Sequence, residues 1–153
     1  MTTPIDPSLI GTRTDEFSTS AERGRLRFFA EATGQTDPRY SDLGAARAAG
    51  HPDLPIPPTF FFCLEMDNPN RGDFLAQLGV DVRTILHGGQ KFTYHAPAHA
   101  GDVLTFWTEV TDVSSKKGGA LQFIVRDTHV GIAGKPVVTL TSTIVVRDPK
   151  AAL

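Results

Sequence analysis

Residues 55–66 read PIPPTFFFCLEM, and the conformation of this stretch decides the fold. Pro57 and Pro58 suit the first turn of a helix, where a backbone N–H has no intrahelical partner to lose. Beyond them Phe60, Phe61, Phe62, Cys63, Leu64 and Met66 put apolar groups on nearly every side of a helical wheel. That is the mark of a helix buried all round. Consecutive phenylalanines also favour a strand. The prolines in front, and Glu65 and Asp67 leaving from one end, decide for the helix. Cys63 in such a helix reads as a small hydrophobe, not a nucleophile, because no basic neighbour in sequence favours its thiolate.

Upstream, residues 1–8 carry Pro4 and Pro7 among small polar residues and read as a loose lead-in. Thr19-Ser20-Ala21-Glu22 has the capping-box pattern and predicts a helix start. Leu26, Phe29, Ala30 and Thr33 then give one apolar stripe, and Gly34 can close the helix at positive φ. Asp42 is placed to cap a second short helix over Leu43 to Ala49, ended by Gly50.

Downstream, from Arg83, the period changes to two. Phe92 and Tyr94 alternate with Lys91, Thr93 and His95; Leu104, Phe106 and Val110 alternate with Thr105 and Glu109. Leu121, Phe123 and Val125 share a face, as do Val138, Leu140, Ile144 and Val146. Turn-forming clusters separate these runs at 96–102, 114–119 and 131–136. The pattern predicts an antiparallel meander of four long strands. An all-apolar helix followed by such a sheet is accommodated when the sheet curls round the helix, an α+β hot-dog arrangement. The exposed edges of such a sheet predict a dimer.

The bulk properties agree. A chain of 153 residues is expected to form one domain that buries roughly two thirds of its unfolded surface. Its 15 basic and 17 acidic residues leave no electrostatic footprint for nucleic acid. No apolar run reaches the roughly 20 residues needed to span a bilayer, so no membrane association is expected. The opening MTTPIDPSLIG shows neither the basic nor the apolar region of a secretory signal, and the single cysteine excludes an internal disulfide; a cytoplasmic location is the expectation.

Three motifs in order, FFAEATGQTDPRYSDLGAARAAG (28–50), LPIPPTFFF (54–62) and LHGGQKFTYHAPAHAGDVL (86–104), resemble the MaoC-type dehydratases, in the N-terminal-domain, FAS1-like branch. The resemblance runs from about Ile10 to Val146. It implies a hot-dog fold and (R)-specific hydration of enoyl thioesters, or the reverse dehydration, on CoA or acyl-carrier-protein substrates, with no cofactor. In the catalytic branch the loop after the first helix reads Gly-Asp-x-Asn-Pro-x-His. Here the same frame is Gly34-Gln35-Thr36-Asp37-Pro38-Arg39-Tyr40, with Gln35 at the aspartate position and Tyr40 at the histidine position. Elimination of water requires a base for the α-proton, an acid for the departing hydroxide and donors for the charge on the thioester oxygen. Gln35 cannot take a proton, and a tyrosine titrating near its ordinary value of about 10 is a poor base at neutral pH. Some members of the branch work in pairs, one subunit holding the acyl chain and a dyad-bearing partner doing the chemistry. This chain resembles the former, as a homodimer or as a heterodimer with a dyad-bearing chain.

The candidate catalytic residues are accordingly Asp37, Tyr40 and His87, the last beside Gly88 and Gly89 where backbone can approach a ligand. Gln35, His51, Pro58, Thr59, Phe60 and Gln90 are candidate substrate contacts, with the pocket expected between the Pro57–Pro58 helix start and the Gly34–Tyr40 loop. The resemblance places an oxyanion contact at backbone N–H groups around Thr59. His95 and His99 have metal-like spacing, but Pro97 between them rules out a helical pair and nothing completes the set, so no metal is expected. His95 reads as shaping its turn and His129 as structural. Glu65 is read as an exposed carboxylate at a helix end; buried, it would instead suit a hot-dog thioesterase that activates water. A non-catalytic acyl-thioester-binding domain is the third reading.

Overall fold

Alternation of apolar and polar residues builds the sheet that organises the molecule, whose computed structural model describes residues 4–147. Strands β1 (Phe17–Thr19), β2 (Ile85–Tyr94), β3 (Leu104–Lys116), β4 (Leu121–Ile132) and β5 (Lys135–Arg147) form one antiparallel sheet in the order β1-β3-β4-β5-β2. The meander expected of four strands holds only for β3, β4 and β5, where Phe106 faces Val130 and Ile124 faces Ile144. β2 instead lies beyond β5, Phe92 opposite Leu140. Its link to β3 is no tight hairpin. Residues of that link dock on the chain that leads to the apolar helix, with a Pro55–His99 bridge and the Ile56 N–H donating to the Ala98 carbonyl at 2.8 Å.

Four helices cover the inner face: α1 (Arg23–Ala32), α2 (Leu43–Ala48), α3 (Phe60–Glu65) and α4 (Arg71–Gln77). The capping box does not form. Thr19 is drawn into β1 by pairing with Leu104, its hydroxyl contacts Asp67 at 3.3 Å, and Glu22 becomes the N-cap without a side-chain bond. The end of α1 closes as expected: Gly34 takes φ +70°, its N–H donates to the Glu31 carbonyl and the Gln35 N–H to Ala30. α2 is capped by Asp42, whose Oδ1 accepts from the Ala45 N–H at 2.7 Å. α3 is only six residues long, because residues 57–59 form a lead-in turn in which the Phe60 N–H donates to the Pro57 carbonyl. Its Phe60, Phe61 and Leu64 are buried as the apolar wheel requires. α4 had no counterpart in the sequence reading, and of the predicted loose lead-in, residues 1–3 lie outside the described residues while Pro7–Leu9 form a 3-10 turn capped by Asp6.

The face of β4 that holds Leu121, Phe123 and Val125 is the outer one; Gln122, Ile124, Thr128 and Val130 point inward. The interior falls into two apolar clusters. One packs Phe60, Phe61 and Leu64 of α3 against Leu104, Phe106, Val130, Val138 and Leu140. The other packs Phe74 and Leu78, on and just after α4, against Val110, Ile124, Ile144 and Val146. Between the clusters every long strand carries a polar residue at an inward position: Gln90, Thr108, Arg126 with Thr128, and Ser142. Among the described residues no helix is long and apolar enough to cross a membrane.

Candidate functional site

The 3-10 turn Pro38–Tyr40, the loop from α2 to α3 and the end of β2 enclose a cavity of about 380 Å³. Its wall includes Tyr40, His51, Pro58, Phe61, Tyr94 and His95. The cavity therefore lies where the sequence placed it, between the Gly34–Tyr40 loop and the start of α3. Tyr40, His51 and Pro58 meet there; the other candidates do not.

Asp37 is spent on its own loop. Its Oδ1 accepts from the Arg39 N–H at 3.0 Å and its Oδ2 from Arg39 Nε at 2.8 Å, while Gln35 Oε1 accepts from the Asp37 N–H at 3.1 Å. These bonds follow from the sequence Asp-Pro-Arg, since an aspartate before proline caps the short turn it begins. No carboxylate lines the cavity. Thr59 is the N-cap of α3, and the nearby Phe60 and Phe62 N–H groups donate to the Pro57 and Thr59 carbonyls. Phe60 is a core residue, edge-on to Phe29 at 5.0 Å.

What the cavity offers is a set of hydrogen-bonding rings. Burial, then the nearby Tyr40, pushes the Tyr94 phenol above its ordinary range, so at neutral pH Tyr94 is a donor and not a base. His51 Nδ1 lies 3.1 Å from His99 Nε2, and the Asp102 carboxylate in turn accepts from the His99 backbone N–H at 2.8 Å and lies 3.6 Å from its Nδ1. Such a contact requires one of the two facing nitrogens to carry a proton and the other a lone pair. His95 Nε2 contacts Thr139 Oγ1 at 3.1 Å. Sequence reading missed His99 as a partner of His51, because 48 residues separate them and only the Pro55–His99 bridge brings the segments together.

A second, larger cavity of about 770 Å³ opens between α3, α4 and the sheet. His87 lines this one, its ring edge-on to Phe62 at 5.8 Å. A bulge between His87 and Gly89 sets it there; Gly88 sits so close to β5 that a Cβ would fall 2.6 Å from a Val145 methyl. Gln90 accepts from the Ser142 hydroxyl at 2.6 Å on the polar band beside it. Glu65 overturns its reading as an exposed helix-end carboxylate: it is 4% exposed and lines this cavity. Its Oε1 accepts from Thr128 Oγ1 at 2.7 Å and is ion-paired with Arg126, whose Nη2 lies 3.2 Å away. The detectable signal was parity, since Arg126 falls between Ile124 and Thr128 on the inward positions of β4. Burial pushes the Cys63 thiol up, in keeping with a packing role. Among the described residues no group of three or more His, Cys, Asp or Glu is placed to hold a metal.

Comparison with known proteins places this architecture. Residues 8–140 match the family described as the FAS1-like, dehydratase domain region. The chain is 38% identical over 150 residues to the UPF0336 protein SCO4636 of Streptomyces coelicolor, covering 97% of this chain and 99% of that protein. Among solved structures it is similar to the C-terminally truncated HadBC (3R-hydroxyacyl-ACP dehydratase) complex from Mycobacterium tuberculosis, with 26% identity and a TM-score of 0.76 over 90% of this chain and 96% of that one. It is similar also to a MaoC-like dehydratase, with 26% identity and a TM-score of 0.82 over 93% of this chain but 43% of that longer one. With a five-stranded antiparallel sheet closed over a short apolar helix and a family match across most of its length, the chain belongs to the FAS1-like dehydratase-region family and has the MaoC-like hot-dog fold.

Proposed function

We propose that this chain is the acyl-binding component of a MaoC-like enoyl-thioester hydratase or 3-hydroxyacyl-thioester dehydratase, and that a dyad-bearing partner chain supplies the proton transfers. One observation carries the reading: the cavity under the Gly34–Tyr40 loop has tyrosines and histidines in its wall but no carboxylate, and the loop's own Asp37 is held by Arg39. A carboxylate and an imidazole on either side of one water can make both proton transfers of hydration. Tyr40, Tyr94, His51 and His95 are suited to orient a thioester by hydrogen bonds.

A partner has a natural place to bind. β2 is an edge strand that pairs with β5 alone among the described residues. Leu86 and Tyr94 on it are about half exposed, at 51% and 49%. Addition of a second hot-dog sheet along this edge satisfies its free N–H and carbonyl groups. The HadBC dehydratase, to which the chain is similar, is a complex.

The test is hydration of crotonyl-CoA by the purified chain, alone and mixed with a MaoC-like chain carrying Gly-Asp-x-Asn-Pro-x-His. Little turnover alone and strong turnover in the mixture is the expected result. Robust turnover by the chain alone that disappears with Asp37→Asn overturns it. A second reading, thioester hydrolysis, is favoured by the buried, cavity-lining Glu65, whose Oε2 has no hydrogen-bond partner. Release of free CoA that is lost in Glu65→Gln would establish it in place of the first.

A further inference from the structure

The side chains around the cavity under the Gly34–Tyr40 loop offer mainly donors. Arg39 only donates, the phenols of Tyr40 and Tyr94 each offer a proton, His95 is engaged through Nε2 with Thr139, and no carboxylate reaches the wall. His51 is the remaining polar side chain of that wall, and its ring is held from behind. Its backbone N–H donates to the Ala46 carbonyl of α2 at 3.0 Å, and its Nδ1 meets Nε2 of His99, which stands outside the wall. The other ring nitrogen, Nε2, has no hydrogen-bond partner among the described residues and does not belong to their buried unpaired atoms, so it keeps accessible surface.

The role of that nitrogen is decided by a residue that never touches it. A neutral imidazole has one N–H and one lone pair, and two facing ring nitrogens need one proton between them. The tautomer of His99 therefore fixes that of His51. Asp102 Oδ2, which accepts from the His99 backbone N–H at 2.8 Å, lies 3.6 Å from His99 Nδ1. A carboxylate so close attracts an N–H and repels a lone pair. With its proton on Nδ1, His99 presents a lone pair at Nε2, His51 donates from Nδ1, and His51 Nε2 is left with the lone pair. The Asp102 N–H donates back to the His99 carbonyl at 3.1 Å, and the Pro55–His99 bridge ties this turn to the chain that follows His51. The series Asp102–His99–His51 thus turns a carboxylate outside the cavity into a neutral acceptor within it.

We infer that His51 is the specificity-determining acceptor of this cavity and makes it select a thioester with a hydroxyl at the β-carbon over one with a carbonyl, or no oxygen, there. His99 and Asp102 are positioning residues that act through its tautomer. A hydroxyl can donate to His51 Nε2, whereas a carbonyl oxygen turns a lone pair toward a lone pair. The inference rests on the acyl-binding reading above and adds to it the form of the acyl group that the site holds.

The test is titration calorimetry of the full-length protein with 3-hydroxybutyryl-CoA, acetoacetyl-CoA and butyryl-CoA at pH 8, above the ordinary histidine range. The hydroxylated chain should bind about two- to tenfold tighter than either of the others, the range for one hydrogen bond between neutral groups. His51→Phe, its folding verified by thermal melt, should bind the three alike. Nitrogen-15 spectra of the histidine rings should show the proton of His51 on Nδ1. Asp102→Asn keeps the shape but removes the charge, so it should populate both His51 tautomers and shrink the preference, effects that a merely structural Asp102 would not produce. Equal binding of the hydroxylated and oxo chains to the wild type overturns this inference and leaves the acyl-binding reading standing. So does a preference that survives His51→Phe, or a His51 protonated on Nε2. Failure of all three thioesters to bind overturns both.

Discussion

Replacing Arg126 by Met while keeping Glu65 isolates the energetic role of the polar band. In the wild type Glu65 is 4% exposed and its carboxylate has two polar contacts, Thr128 and Arg126, with Thr108 behind Thr128. Arg126→Met removes the compensating charge, whose side chain is itself only 17% exposed, and leaves the carboxylate with Thr128 alone. Loss of one member of a buried pair destabilises by about 3–5 kcal/mol, because the remaining charge is uncompensated. For a domain of this size that lowers Tm by about 6–20 °C. The matched double change, Glu65→Met/Arg126→Met, removes both charges and should fall between neutral and about 4 kcal/mol more stable than wild type. Urea unfolding at fixed protein concentration, with both variants and the wild type extrapolated to water, measures the three values. An Arg126→Met variant within about 1 kcal/mol of wild type would refute the reasoning, since it would mean that the carboxylate is already compensated by solvent.

Other perturbations follow from local geometry. Gly88→Ala places a methyl 2.6 Å from Val145 Cγ2 and 3.2 Å from the Thr143 carbonyl, so it should destabilise by about 1–3 kcal/mol in a thermal melt; an unchanged Tm would show that the bulge yields freely. Phe61→Ala, at a position 3% exposed, should cost about 3–5 kcal/mol, whereas Phe28→Ala, 73% exposed, should stay within about 0.5 kcal/mol by urea unfolding. Arg23 holds the Asp53 carboxyl down at about 2 through hydrogen bonds of 2.9 and 2.6 Å. A depressed folded-state value means that Asp53 favours folding at pH above its ordinary 3.8 and that this contribution disappears as pH falls through about 2. Asp53→Asn should therefore be less stable than wild type at neutral pH and lose less stability on acidification across that window, as read from unfolding curves at stepped pH; parallel pH profiles would show that the ion pair contributes nothing.

Local signals were legible where the energy is local. The glycines closing α1 and α2, the Asp42 cap and the inward faces of β3 and β5 all follow from rules that operate over a few residues, as does the burial of Phe60, Phe61 and Leu64. The failed capping box marks the limit of that logic. Thr19 had the right neighbours for a cap, but pairing with Leu104, 85 residues away, offered its backbone a better partner. Of the candidate site residues, Tyr40, His51 and Pro58 line one cavity, the loop and the helix start being joined by one short helix. His87, beside the bulge in β2, lines the other cavity, and Gln90 is held by Ser142 on the polar band.

By itself the sequence determined an α+β chain with one largely apolar helix and a long antiparallel sheet, since periodicity and residue chemistry are properties of neighbours. Only the tertiary structure decided that β2 crosses to β5, that His51 meets His99, and that Glu65 and Arg126 face each other in a cavity between two apolar clusters. Those outcomes depend on contacts between segments 44 to 63 residues apart in the chain, whose pairing is set by how the whole sheet closes over the helix and not by any pattern within reach of a single turn or strand.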